Sequence, residues 1–115
     1  MELIYQGVAT GQLSLTRWVE TCATTPARMF GLYPRKGVIA PGSDADIVIF
    51  DPNKERTLSA KTHHMNCDYS LFEGMRIKGY PETVLSRGKV IIENNEYKGR
   101  PGEGKFIKRG VCAQM

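Results

Sequence analysis

Four consecutive apolar residues, Ile47-Val48-Ile49-Phe50, lie between Asp46 on one side and Asp51-Pro52-Asn53 on the other. A run this short, closed by turn formers, predicts a β-strand covered on both faces. Such a strand needs a layer above it and a layer below. The other strand candidates are few and short: Val38-Ile39, Arg56 to Ala60, Met75 to Lys78 ending at Gly79, Thr83-Val84-Leu85 and Val90-Ile91-Ile92. Irregular stretches separate them, so a closed sandwich looks incomplete, and unpaired apolar edges invite aggregation. The stretch from Val38 to Phe50 asks for a partner layer that a 115-residue chain of this kind does not supply. The sequence therefore reads as a piece of something larger.

Ahead of the strands the pattern is helical, from Leu3 to Leu32. Leu15, Trp18, Val19 and Cys22 recur at the spacing of one apolar helix face. Ser14 is placed to cap this helix through its hydroxyl. Pro26 would clash inside a helix, so Thr25-Pro26 is expected to restart it, Thr25 as N-cap and Pro26 in the first helical position. Gly31 stands where a left-handed C-terminal residue is wanted. Pro41-Gly42 is a turn pair. Arg87-Gly88 joins two strands as a hairpin, and Asn94-Asn95 offers a second tight turn. From Gly99 onward glycines and few large apolar residues predict an extended tail. Helices first and strands after give an α+β chain.

Composition narrows the function classes. Sixteen Lys+Arg against twelve Asp+Glu give a net charge of +4, too thin a basic excess to suggest nucleic-acid binding. No apolar stretch approaches the ~20 residues that span a bilayer, and the first residues lack the pattern of a signal peptide. Three widely spaced cysteines, Cys22, Cys67 and Cys112, read as free thiols of a cytoplasmic protein.

The candidate chemistry is sparse. His63-His64 and Cys67 carry zinc-ligand side chains, but no second pair follows at matching spacing, and hydrogen-bonded loop histidines are the expectation. Asp44 is expected to cap a turn and Asp46 to begin a strand, with no His, Lys or Tyr adjacent in sequence to tune either. Gly99-x-x-Gly102-x-Gly104-Lys105 is followed by Phe106 rather than by Ser or Thr and a helix, so it is no phosphate loop. No nucleophile–base arrangement stands out.

Two stretches say more. Thr25-Pro26-Ala27-Arg28-Met29-Phe30-Gly31-Leu32, followed by Lys36-Gly37-x-Ile39-x-x-Gly42-x-Asp44-Ala45-Asp46 and the apolar strand, resembles the C-terminal signature of the amidohydrolase superfamily, with Thr25 where Asn is commoner. Tyr33-Pro34-Arg35-Lys36-Gly37, Thr62-His63-His64, Asp68-Tyr69, Phe72-Glu73-Gly74 and Gly102-x-Gly104-Lys105-Phe106 are similar to the hydantoinase/dihydropyrimidinase group. Resemblance covers the chain from about Met1 to Arg109.

That resemblance implies a metal-dependent (β/α)8 barrel with a small β-sandwich built from both chain ends. This chain would then divide into the last barrel helices (1–34), whose Leu15, Trp18, Val19 and Cys22 face would pack against the barrel wall, a partial sandwich (35–97) and a C-terminal tail (98–115). The implied parent opens hydantoin or dihydropyrimidine rings with zinc or another divalent metal. None of the family's metal ligands maps onto a residue here, so no catalytic, substrate-binding or metal residue is assigned, and the piece alone is expected to hydrolyse nothing. The implied partners are the missing N-terminal part and, in a homotetramer, further copies, with no nucleic acid and no membrane. Phe106, flanked by Arg100, Lys105 and Lys108, is the expected oligomer contact. Two other readings compete: a related non-catalytic scaffold protein, and a stand-alone binding module using the basic tail. Scaffold relatives run on into a long Ser/Thr/Pro-rich tail, whereas this sequence ends six residues past Arg109, which on this reading favours the enzyme branch.

Overall fold

A computed structural model describes residues 1–112 of the chain. Three helices come first: α1 (Glu2–Ala9), α2 (Leu15–Val19) and α3 (Thr25–Met29). A π-helical turn, Glu20–Thr24, joins the last two. Four strands follow, β1 (Ile47–Thr57), β2 (Arg76–Ser86), β3 (Lys89–Glu93) and β4 (Glu96–Tyr97), forming one antiparallel sheet in the order β1-β2-β3-β4. The α+β order is thus as the sequence suggests. The tail beyond Tyr97 has no regular secondary structure over its described residues, and the last three positions of the expected tail, 113–115, lie outside them.

Local chemistry explains most of the boundaries. The Ser14 hydroxyl accepts from the Arg17 N–H at 3.1 Å, capping α2. At the other end of the helical run Gly31 has φ +65°, the Leu32 N–H reaches the Ala27 carbonyl at 2.8 Å, and the Gly31 N–H reaches Arg28 at 3.1 Å. That pair of bonds is a Schellman stop. Arg87 and Gly88 (φ 48° and 79°), and then Asn94 and Asn95 (φ 50° and 67°), turn the two hairpins, with the left-handed residues that two-residue turns demand.

Several expectations need correction. The helix does not restart at Thr25. Thr25 has helical angles, its N–H bonds five residues back to Glu20, and Thr24 precedes α3 without any side-chain cap. The widened π-turn accommodates Pro26, which lacks an N–H and would crowd the carbonyl of a regular turn. Val38-Ile39 forms no strand, and Ile39 is 81% exposed. Arg56 and Thr57 are the end of β1 rather than a separate strand, beyond an irregularity between Asp51 and Glu55. Gly79 does not end a strand, because β2 continues through it to Ser86.

The described core is small. Its buried apolar residues are Tyr5, Trp18, Ala27 and Ile77. Trp18 does not wait for a missing neighbour: it packs within this chain, while Leu15 and Val19 of the same helix stay exposed. The strand expected to be covered on both faces has Val48 and Ile49 partly exposed, so the shortage of a partner layer is visible in the structure.

Candidate functional site

Three aromatic rings tie helices to sheet. Tyr5 from α1, Trp18 from α2 and Phe50 from β1 meet with centroids 5.0, 4.6 and 4.9 Å apart, in edge-to-face and tilted orientations, the arrangement favoured by ring quadrupoles. The Trp18 indole N–H donates to the Met1 carbonyl at 3.2 Å. Beside the triangle, Gln6 extends the β2 backbone pairing: its side-chain amide donates to the Lys78 carbonyl at 2.8 Å and its oxygen accepts the Lys78 N–H at 3.1 Å.

Next to this joint runs an apolar groove of about 670 Å³ between the α2–α3 run and β1, with Trp18, Val19, Phe30, Ile39, Val48 and Phe50 among its walls. The outer edge of β1 borders it, and β1 pairs only with β2 among the described residues.

A charged cluster fixes the loop before β1. The Lys36 ammonium is shared between Asp44, at 2.9 Å, and Asp46, while Arg35 pairs with Asp44 at 3.0 Å. Asp46 also accepts the Arg87 N–H at 2.8 Å, joining the loop to the β2–β3 hairpin. Burial opposes charge on Lys36, but its hydrogen bonds to Asp46 and Asp44 outweigh that and hold its pKa above the ordinary value. Hydrogen bonds from Lys36 and Arg35 hold Asp44 below the usual carboxylate range. Burial pushes Asp46 up, yet Lys36 and the Arg87 N–H prevail and its pKa is lowered. Both aspartates therefore differ from expectation: Asp44 is an ion-pair partner rather than a turn cap, and a lysine eight to ten residues upstream in sequence tunes both.

Glycine makes this approach possible. Gly37, at φ +81°, abuts the helical run so closely that a Cβ there would lie 2.5 Å from the Ala27 Cβ and 2.9 Å from the Ala23 carbonyl oxygen. The Thr24 hydroxyl donates to the Gly37 carbonyl at 2.8 Å. The Lys-Gly and Asp-Ala-Asp elements of the sequence motif are thus one contact, closing the loop onto the helices.

The histidines and cysteine do not converge. His63 Nδ1 accepts the Met65 N–H at 3.1 Å, so in a neutral ring Nε2 bears the proton. The His64 ring lies 6.1 Å from that of Tyr97, and Cys67 Sγ faces the Tyr69 carbonyl at 3.5 Å. Among the described residues no group of three or more His, Cys, Asp or Glu side chains could hold a metal. A metal does not fit the described residues of this chain.

The tail is held rather than loose. The Glu103 carboxylate pairs with Lys89 at 2.9 Å, its carbonyl accepts from Arg87, and the Gly110 N–H donates to the Gly31 carbonyl at 2.7 Å. Between these pins Phe106 is 94% exposed. Lys105 and Lys108 lie on either side of it in sequence, and Arg100 precedes the first pin.

The helical run, the Lys-Gly loop and strands β1 and β2 of the small sheet together fall within residues 1–91, which match the amidohydrolase family, and the chain belongs to that family. Within it, the chain is 55% identical over all its 115 residues to the D-hydantoinase of Streptomyces coelicolor and covers 25% of that protein. It is 47% identical to the dihydropyrimidinase of Rattus norvegicus, spanning the whole of this chain and 22% of that one. A solved D-hydantoinase structure superposes with a TM-score of 0.94 at 50% identity, over 98% of this chain and 25% of that one. The hydantoinase/dihydropyrimidinase resemblance read from the sequence is borne out, and the chain spans about a quarter of the length of these relatives.

Proposed function

We propose that this chain is the C-terminal part of a cyclic-amide hydrolase that opens hydantoin or dihydropyrimidine rings. The observation that carries the reading is similarity along the whole of this chain, at about half identity, to about a quarter of the length of a D-hydantoinase and a dihydropyrimidinase. In the reaction, water adds across the ring amide, the C–N bond breaks, and a carboxylic acid forms while the freed nitrogen takes a proton. The zinc or other divalent metal of such an enzyme would be held by residues outside this chain.

On this reading residues 1–34 are the last barrel helices, 35–97 part of the small sandwich and 98–115 the tail. The aromatic triangle and the Gly37 contact would couple barrel to sandwich. The missing N-terminal part would supply the layer that Val48 and Ile49 lack. The pinned tail would present Phe106, with Arg100, Lys105 and Lys108 at its rim, to another subunit of a homotetramer. Free thiols at Cys22, Cys67 and Cys112 suit a cytoplasmic enzyme.

The test compares the 115-residue chain with a polypeptide of the relatives' full length that ends in it, each assayed for opening of hydantoin and dihydrouracil. The long form should hydrolyse at least one ring and the short form neither. Activity of the short form that survives repurification, or a metal-loaded long form that opens no ring, contradicts the reading.

A further inference from the structure

We infer that the loop joining β1 to β2 is a prebuilt docking surface, whose apolar side chains seat on the part of the polypeptide upstream of Met1. The inference rests on the reading of this chain as the C-terminal part of a longer protein. Loops between strands are ordinarily polar, and this one is not. From Thr62 to Phe72 the only carboxylate or ammonium side chain is that of Asp68. Met65, Tyr69 and Leu71 are 67%, 67% and 88% exposed, and Phe72 and Met75 are exposed too. Contiguous apolar surface of this kind marks a contact site. The backbone beneath it is fixed. The Leu58 N–H donates to the Met75 carbonyl and the Gly74 N–H to the Leu58 carbonyl, both at 2.9 Å, closing the base of the loop. The Glu73 carboxylate accepts the Ala60 N–H at 2.7 Å, and the Ser70 hydroxyl accepts the Phe72 N–H at 3.2 Å. A loop held in this way loses little further freedom on contact, which favours docking.

The upstream part is the occupant for two reasons. One is where the chain enters. The Glu2 carboxylate, at the start of α1, accepts from Arg56 Nη2 with both oxygens, at 2.8 and 3.1 Å, and Arg56 lies two residues before Leu58 at the loop base. A cavity of about 210 Å³ is shared by Glu2, Arg56 and the loop residues Thr62, His63 and His64. Polypeptide preceding Met1 therefore emerges beside the loop, and there is ample length of it, since this chain covers 25% of a D-hydantoinase. The other reason is size. One loop falls short of the roughly 800 Å² per partner that holds separate proteins together. A surface tethered within one polypeptide needs less, because the tether holds it at an effective concentration in the millimolar range. The subunit contact proposed for Phe106 lies elsewhere. The Glu103 carbonyl is pinned by Arg87, past the end of β2 remote from Arg76, and that 11-residue strand is about 35 Å long.

The experiment uses the polypeptide of the relatives' full length that ends in this chain, with Leu71 replaced by the photoreactive residue p-benzoylphenylalanine. Irradiation should link position 71 to a peptide preceding Met1 within the same chain, seen by mass spectrometry and by an unchanged mass on a denaturing gel. Hydroxyl-radical labelling of the unsubstituted protein is the second readout: Met65, Tyr69 and Leu71 should be modified at least tenfold more slowly in the native protein than in urea. A link between two chains, a link confined to the 115 residues, or labelling at the unfolded rate overturns the inference. Neither readout depends on ring opening. A long form that opens no ring but links position 71 upstream loses the hydrolase reading and keeps the docked loop. An active long form in which position 71 links to nothing keeps the hydrolase reading and loses the docked loop.

Discussion

The Tyr5 ring lies directly over Gly79: a Cβ built on that glycine would sit 2.4 Å from Tyr5 Cε1 and 2.7 Å from Phe50 Cε1. The glycine's φ is +86°. Sterics and backbone conformation therefore both exclude a side chain at the point where α1 rests on β2.

Gly79→Ala should accordingly destabilise the chain by about 2–5 kcal/mol, combining overpacking with strain at positive φ. Gly42 is the control. Its φ is +87°, but nothing lies within 4 Å of its would-be Cβ, so Gly42→Ala should cost only about 1–2 kcal/mol. Chemical denaturation followed by Trp18 fluorescence measures both. Equal losses would mean that the ring contact adds nothing to the backbone term.

The Lys36 cluster sets a pH window. Asp44 and Asp46 have lowered pKa values in the fold, so their stabilisation is complete above the unfolded carboxylate value and is lost as pH falls through their folded values. Lys36 is raised, so its share is complete below the unfolded lysine value and is lost as pH rises through the folded one. Stability from this cluster should hold between about pH 4 and pH 10. Below that window Asp46→Asn should flatten the acid limb of a denaturation–pH curve. An acid limb identical to that of the parent sequence would show that the cluster contributes no linkage.

In the homotetramer proposed for the full-length protein, Phe106→Ala should weaken assembly more than Lys108→Ala does. Burying a phenylalanine side chain contributes about 1.5–3 kcal/mol, whereas a rim cation acts mainly on association rate and salt dependence. Sedimentation at equal concentration, with metal content measured alongside, decides. Dissociation by Lys108→Ala with Phe106→Ala intact would make the tail an electrostatic clamp.

What the sequence made legible was what neighbouring residues determine. Arg87-Gly88 and Asn94-Asn95 turn the chain where their own backbone preferences say, and Ser14 and Gly31 bound the helical run through contacts within a few residues. Misreadings arose where distant residues decide. Gly79 looks like a strand terminator because the ring that requires it belongs to Tyr5, more than seventy positions upstream. Asp44 and Asp46 look untuned because Lys36 reaches them only after Pro41-Gly42 folds the loop back. Thr25-Pro26 looks like a helix start because local rules treat proline as a breaker, whereas a wider turn absorbs it. The candidate site was legible only as family resemblance, since the contacts its residues make join elements that lie far apart in sequence.

The π-turn at Glu20–Thr24 has a consequence for angular phase. A residue added to or taken from an α-helix rotates everything on one side of it by about 100° relative to the other. The extra residue held in that turn thus sets the azimuth between Trp18, aimed at Phe50, and Ala27, aimed at Gly37. Deleting one residue there would regularise the helix and improve its hydrogen bonding while swinging one of these two contacts away from its target. The most helical version of this segment is therefore one that cannot dock at both ends.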